Sequence, residues 1–258
     1  MTAHRPFDLS GRTVLVTGAS SGLGERFARI LADGGARVAL AARRVDRLEA
    51  LRDALIAQGG QAMVVEMDVA SEASTIAAYD AIEAELGPVD SVIANAGMNS
   101  EGMLLDISVD EFDRVMAVNL RGAFVTAREG AKRMITAGSQ ERRHGRIVII
   151  SSITANTVTG GIGTYSASKA GILHLGKHMA LEWARKGVNV NMVMPGYIAT
   201  ELNGDWFATE GGKKQINKWP RRRLMQSDDL DAILLYLASD ASGAVTGSAF
   251  TIDDGQSL

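Results

Sequence analysis

Cysteine is absent from all 258 residues, which removes disulfides, thiolate nucleophiles and sulfur-ligated metals from consideration. Proline occurs only four times, and no Pro/Ser-rich tract marks a linker. No apolar run reaches the roughly 20 residues that would cross a bilayer, and the opening MTAHRPFDLS lacks the apolar centre of a signal peptide. A cytoplasmic protein with no membrane partner is therefore expected. A formal net charge of −3 gives no electrostatic reason to expect nucleic acid either. The basic clusters Arg142-Arg143 and Arg221-Arg222-Arg223 are short and read as solvated surface. What is present is an ordinary globular composition, 46% hydrophobic and 22% charged, able to bury a sizeable core.

Short apolar runs alternate with longer segments of helical period. Seven strands are expected at 13–17, 37–41, 62–66, 91–94, 146–150, 188–193 and 249–252, most of them continuously apolar, as strands covered on both faces should be. Helical spacing of apolar residues runs through 25–33, 45–58, 71–86, 109–135 and 165–186. The alternation predicts a parallel sheet with right-handed crossovers in one domain over residues 1–258. Two stretches interrupt the rhythm: the polar 137–145, and the long 197–223, which is the candidate substrate lid.

The first strand runs into Thr17-Gly18-Ala19-Ser20-Ser21-Gly22-Leu23-Gly24 and then helix-forming residues. Such a turn brings backbone close to a pyrophosphate and aims a helix N-terminus at it; glycines relieving backbone strain would leave a similar pattern. The spacing G-x-x-x-G-x-G differs by one residue from the usual dinucleotide fingerprint. At the end of the second strand, where an acid would bind the adenosine ribose, stand Arg43 and Arg44. Guanidinium attracts a 2′-phosphate that a carboxylate would repel. The expected cofactor is NADP(H), with Arg43 the first ligand and Arg44 the second; two surface arginines opening a helix is the competing reading.

Tyr165 and Lys169 are four residues apart and about 40° apart on a helix, so they share a face. A free phenol, with a pKa of about 10, exchanges protons poorly at neutral pH. The expectation is that the Lys169 ammonium, together with an oxidised nicotinamide, lowers Tyr165 enough to make it a general acid and base. Ser151-Ser152 lies at the end of the fifth strand, where open α/β sheets place ligands.

With these residues in hand the chain resembles the short-chain dehydrogenase/reductases from about Leu9 to its end. The match rests on the glycine turn, Asp68 in Met67-Asp68-Val69, Asn95-Ala96-Gly97, the set Ser152, Tyr165 and Lys169, and Pro195-Gly196. The resemblance implies an α/β fold, a doubly wound parallel seven-stranded sheet of Rossmann type with helices on both faces. It also implies roles: Tyr165 exchanges the proton, Ser152 bonds the substrate oxygen, Lys169 holds the nicotinamide ribose and Asn119 anchors a relay water. Gly18, Ser20, Ser21, Gly22, Leu23, Gly24, Asp68, Val69, Asn95, Ala96, Gly97, Pro195, Gly196 and Thr200 would line the cofactor. Plainer roles stay open: Asn119 satisfying backbone groups, Asp68 capping the next helix, Asn95 stabilising the sheet. A homotetramer, or failing that a homodimer, built on the two long helices and the C-terminal segment is implied as well.

His174 and His178 could pair on a metal, but they point roughly 180° and 140° away from Tyr165, so packing or a subunit interface is the better reading and no metal is expected. Trp206, Phe207 and Trp219 in the lid either cover an apolar substrate or anchor the lid. Gly160, Gly161 and Gly163 leave room before Tyr165. The expected reaction is hydride transfer between NADP(H) and a ketone or secondary alcohol, apolar or cyclic and extending to steroid-like molecules. A 3-oxoacyl carrier-protein reductase is the alternative, with Arg142 and Arg143 for the acidic carrier; Leu181, where such reductases often carry arginine, weighs against it. A non-catalytic NADPH sensor is more remote, since it has no use for a proton donor.

Overall fold

The computed structural model describes residues 7–199 and 204–258, with only the backbone of Gly204 and Asp205. Seven parallel strands form one sheet in the order β3-β2-β1-β4-β5-β6-β7. They are β1 (Thr13–Thr17), β2 (Arg37–Ala42), β3 (Gln61–Glu66), β4 (Ser91–Ala94), β5 (Gly145–Ile150), β6 (Val188–Pro195) and β7 (Ala249–Ile252). Helices α1 (Gly22–Asp33), α2 (Val45–Ala57), α3 (Glu72–Leu86), α4 (Val109–Met116), α5 (Ala123–Thr136), α6 (Ser139–Arg142) and α7 (Gly163–Trp183) are followed by α8 (Gly204–Ala208), α9 (Glu210–Ile216) and α10 (Asp231–Ala238).

The two-residue period of a strand explains the layering. In β1, Leu15 points to one face with Val92 and Ile147, where α3, α5 and α7 supply Tyr79, Ala127 and Ile172. Val14 and Val16 point to the other with Leu40 and Val148, against Phe27 and Leu31 of α1, Leu48 of α2 and Leu234 of α10. Both faces are thus dry, which is why the interior strands read as unbroken apolar runs. The edge strands are less covered: β7 alternates exposed and half-buried residues, and β3 exposes Gln61 and Glu66. Strand order reverses between β1 and β4, opening a crevice at their C-terminal ends.

Three elements depart from the sequence expectation. The helix expected over 109–135 is two helices joined by a π-helical turn, Ala117–Gly122; its apolar period passes through unbroken, because a slipped hydrogen-bond register leaves side-chain spacing nearly intact. The 137–145 loop contains α6, held where the Ser139 hydroxyl donates to the carbonyl of Lys186 at 2.6 Å. The 197–223 stretch contains the short helices α8 and α9, and near its two ends Ile198 and Met225 form a parallel bridge. Among the described residues no helix is long and apolar enough to cross a membrane.

Candidate active site

The glycine turn sits at the crevice. Gly18 and Gly22 have φ of +70° and +55°, a region side chains rarely adopt. A Cβ on Gly18 would lie 3.0 Å from Ala96 Cα, whereas one on Gly22 would meet nothing within 4 Å, so Gly22 faces open space. The helix behind it, α1, has Ser21 at its N-cap with no side-chain cap bond. Its first amides are left for an outside acceptor, and a cradle of that kind fits a dinucleotide pyrophosphate.

Arg43 and Arg44 both follow β2, but the structure separates their tasks. Arg44 donates to the Ser20 hydroxyl (3.1 and 2.9 Å) and to that of Ser21 at 2.7 Å, bracing the turn. Arg43 is exposed. The other side of the crevice is set by Thr17, whose hydroxyl accepts the amides of Asn95 and Ala96 at 3.1 and 3.0 Å, while the Asn95 amide donates to the Thr17 carbonyl at 2.9 Å. Asn95 therefore stitches β4 to β1 and holds Gly97 at the crevice. Asp68 accepts the amide of Ala70 at 3.0 Å and does not cap the next helix: Ser71 does, through Ser74. Val69 is buried. Thr200 lies outside the described residues.

Beyond β5, Ser152 accepts two bonds from Thr154, from its amide at 3.2 Å and its hydroxyl at 3.0 Å. Its own hydroxyl proton is not committed to either of these bonds. Tyr165 is the third residue of α7, and Lys169, one turn on, is buried with its Nζ donating to the Ile150 carbonyl at 2.9 Å and 5.7 Å from the Tyr165 ring centre. Asn119, in the π-helical turn, grips Met98 at both ends: Oδ1 accepts its amide at 2.8 Å and Nδ2 donates to its carbonyl at 2.9 Å. Nδ2 also donates to Ser168 at 3.1 Å, whose hydroxyl donates to the Tyr165 carbonyl at 2.6 Å. A Cβ on Gly97 would be 3.4 Å from both Asn119 Oδ1 and Lys169 Nζ, so those polar atoms flank one point.

The electrostatics correct one expectation. Tyr165 is half-buried as a residue, and burial pushes its phenol up from its ordinary value; the Ser152 hydroxyl pulls it down, and a charge on Tyr197 would push it up again. The protein's own groups do not acidify the phenol, because desolvation of the phenolate outweighs the help it receives. Burial lowers Lys169 to about 8.

The aromatic residues of 197–223 divide. Phe207 and Trp219 are buried around Tyr197, which stacks on Trp219 at 5.3 Å and meets Phe207 edge-on at 5.6 Å; they anchor the segment, and Trp206 alone is exposed. The room expected before Tyr165 is partly taken, since a Cβ on Gly163 would run into Leu104 at 2.8 Å. His174 and His178 are exposed and touch each other edge-on at 5.1 Å. Thr17, Thr154 and Ser168 belong to the site and were missed from sequence. Thr17 and Thr154 stand inside or beside the motifs; Ser168, in Tyr165-Ser-Ala-Ser168-Lys169, gives no signal until α7 is packed against the π-helical turn.

A fold of this order with these groups at its switch point defines a nucleotide-dependent oxidoreductase. The family model described as short chain dehydrogenase matches residues 12–211, and the chain belongs to the short-chain dehydrogenase/reductase family. It is 35% identical to D-threitol dehydrogenase of Mycolicibacterium smegmatis, over 98% of this chain and 95% of the relative. A short-chain type dehydrogenase/reductase from Mycobacterium marinum superposes with a TM-score of 0.90 at 37% identity, covering 97% of each chain. A gluconate 5-dehydrogenase from Burkholderia cenocepacia, in complex with NADP and tartrate, gives 0.91 at 33% identity over 97% of this chain and 96% of that one.

Proposed function

We propose that this chain interconverts a secondary alcohol and a ketone at the expense of NADP(H), on an apolar or cyclic substrate extending to steroid-like molecules, in one domain whose lid is 197–223. The observation that carries the reading is the convergence of Tyr165 and buried Lys169, whose Nζ lies 5.7 Å from the Tyr165 ring centre and donates to Ile150, with Ser152 at the C-terminal end of β5. The nicotinamide, when bound, supplies the hydride. Everything else falls to the chain. Because Tyr165 is neutral at pH 7, it is poised to donate its proton to an oxygen that gains negative charge, while the Ser152 hydroxyl bonds the same oxygen. Lys169 retains donors beyond its bond to Ile150 for a ribose hydroxyl and for a water held with Asn119 Oδ1, through which Tyr165 is reprotonated. Ser20 and the amides behind Gly22 take the pyrophosphate, Asp68 the adenine and Arg43 the 2′-phosphate; the Burkholderia cenocepacia relative was captured with NADP.

Exposed Met103 and Leu104, with Val158 just beyond Ser152, give the mouth an apolar rim that favours such a substrate. Against the carrier-protein alternative, Arg142 and Arg143 precede β5 while Ser152 follows it, at the other end of a six-residue strand roughly 20 Å long. Exposed Val109 and Phe112 on α4 and Leu181 on α7 support assembly into a homotetramer or homodimer. The test is a panel of cyclic ketones, linear ketones, threitol and gluconate, followed by nicotinamide absorbance with both cofactors. Tyr165→Phe should lose roughly 100-fold or more in kcat; equal turnover overturns the assignment, and a preference for polyols over cyclic ketones overturns the substrate class.

A further inference from the structure

We infer that Gln256, in the C-terminal tail, is a positioning residue of the active site: it ties the two ends of the 197–223 segment together and so fixes Tyr197 just past the end of β6, next to the strand that leads to Ser152. Gln256 is 8% exposed, and the segment absorbs its whole amide. Oε1 accepts the amide of Tyr197 at 2.6 Å, and Nε2 donates to the carbonyl of Tyr197 at 3.2 Å and to that of Arg223 at 3.4 Å. One side chain thus grips residue 197 by both backbone groups, as a neighbouring strand would, and reaches the far end of the segment as well.

The surrounding residues are arranged for this contact. A Cβ on Gly196 would fall 2.5 Å from Gln256 Oε1 and 2.9 Å from Asp253, so the glycine of Pro195-Gly196 is what admits the tail. Asp254 and Gly255 take φ of 55° and 82° in succession, reversing the chain so that Gln256 faces inward. Asp253 holds that turn by accepting the amides of Gly255 and Ser257 at 3.0 and 2.9 Å. Asp254 pairs with Arg221 at 3.0 Å and Arg223 at 2.7 Å. The ends of the segment meet directly too, the Met225 amide donating to the Tyr197 carbonyl at 3.1 Å. Held in this way, Tyr197, two residues past β6, presents one ring face to Trp219; Val193 of β6 pairs with Ile150 of the strand that leads to Ser152. Tyr197 becomes a fixed wall of the substrate site only while its backbone is held.

The catalytic consequence rests on Tyr165 being the proton donor; the structural one does not, and the experiment separates them. Trypsin is applied to the native full-length protein, whose exposed Lys213, Lys214, Lys218 and Arg221–Arg223 lie in the segment, alongside KM and kcat for the best ketone. Gln256→Ala should be cut in 197–223 about tenfold faster than wild type, with cleavage elsewhere unchanged, and should raise KM about tenfold with a smaller change in kcat. Gln256→Glu keeps the shape and one acceptor but loses both donors while ionised, among Asp253, Asp254, Arg221 and Arg223. It should behave like the alanine variant at pH 7.5 in both KM and tryptic rate, because an ionised carboxylate can accept the Tyr197 amide but donate to neither carbonyl. Wild-type KM and tryptic rates in both variants overturn the inference; so does faster cleavage across the whole chain, or faster cleavage of the segment with KM unmoved. Lack of turnover in the wild-type protein would defeat the oxidoreductase reading and leave the tryptic result standing as the test of the latch.

Discussion

Lys169 is a cation placed where a cation is costly. Burial lowers it from 10.5 to about 8, so between those values the unfolded chain binds more protons than the folded one, and stability rises with pH across that window. At neutral pH the cost is about 3 kcal/mol. Lys169→Met should therefore stabilise the fold by about 1–3 kcal/mol at pH 7, after allowing for the Ile150 carbonyl left unpaired, and the gain should shrink toward pH 10. Urea unfolding at the two pH values measures it, while turnover collapses. Arg43 is the opposite case, exposed and placed for a ligand. Arg43→Ala should weaken NADPH by roughly 10- to 100-fold and NADH by no more than about threefold, read by fluorescence titration. An equal loss for both would overturn the cofactor assignment. At this scale the sequence spoke through identity and spacing: Ser152, Tyr165 and Lys169 are brought together as their spacing implied. The direction of the Tyr165 shift was hidden, because spacing carries the charge of a neighbour but not the desolvation of the phenol.

Among the elements, the π-helical turn Ala117–Gly122 carries the most consequence. It delivers Asn119 to the interior, 1% exposed, where its amide satisfies Met98 on the loop after β4 and Ser168 on α7. Removing those bonds leaves buried partners unpaired, at about 1–3 kcal/mol for each group affected. Asn119→Ala should accordingly cost about 2–4 kcal/mol of stability by urea unfolding, in addition to its effect on rate. The strands and most helices were readable from periodicity, since both sheet faces are covered and each helix shows the sheet an apolar stripe. The slipped turn and α10 were not singled out. The first keeps its side-chain spacing, and the second is a short apolar helix, Asp231–Ala238, without a polar face to reveal its period.

Across the whole molecule, the two ends of the sheet do different work. The C-terminal ends of the strands gather Gly22, Ser152, Tyr165 and Lys169. The N-terminal ends gather a lattice of charge: Asp90 accepts the Thr13 amide at 3.0 Å and meets His144 at 2.6 Å, and Arg12 bonds the Ser91 hydroxyl at 3.1 Å and the His144 carbonyl at 2.9 Å. Arg142 joins that lattice through Asp90. Replacing Arg142 and Arg143 together with alanine should leave kcat/KM within about twofold for free and carrier-linked thioesters alike, because charges separated by the length of the sheet are screened. A selective loss with the carrier-linked substrate would revive the carrier-protein alternative. The bridge between Ile198 and Met225 has a further consequence. The polypeptide leaves β6 and returns to nearly the place it left, so the intervening stretch is a loop closed at its base. Its length can double for about 0.6 kcal/mol of closure entropy, so insertions there leave the strands undisturbed.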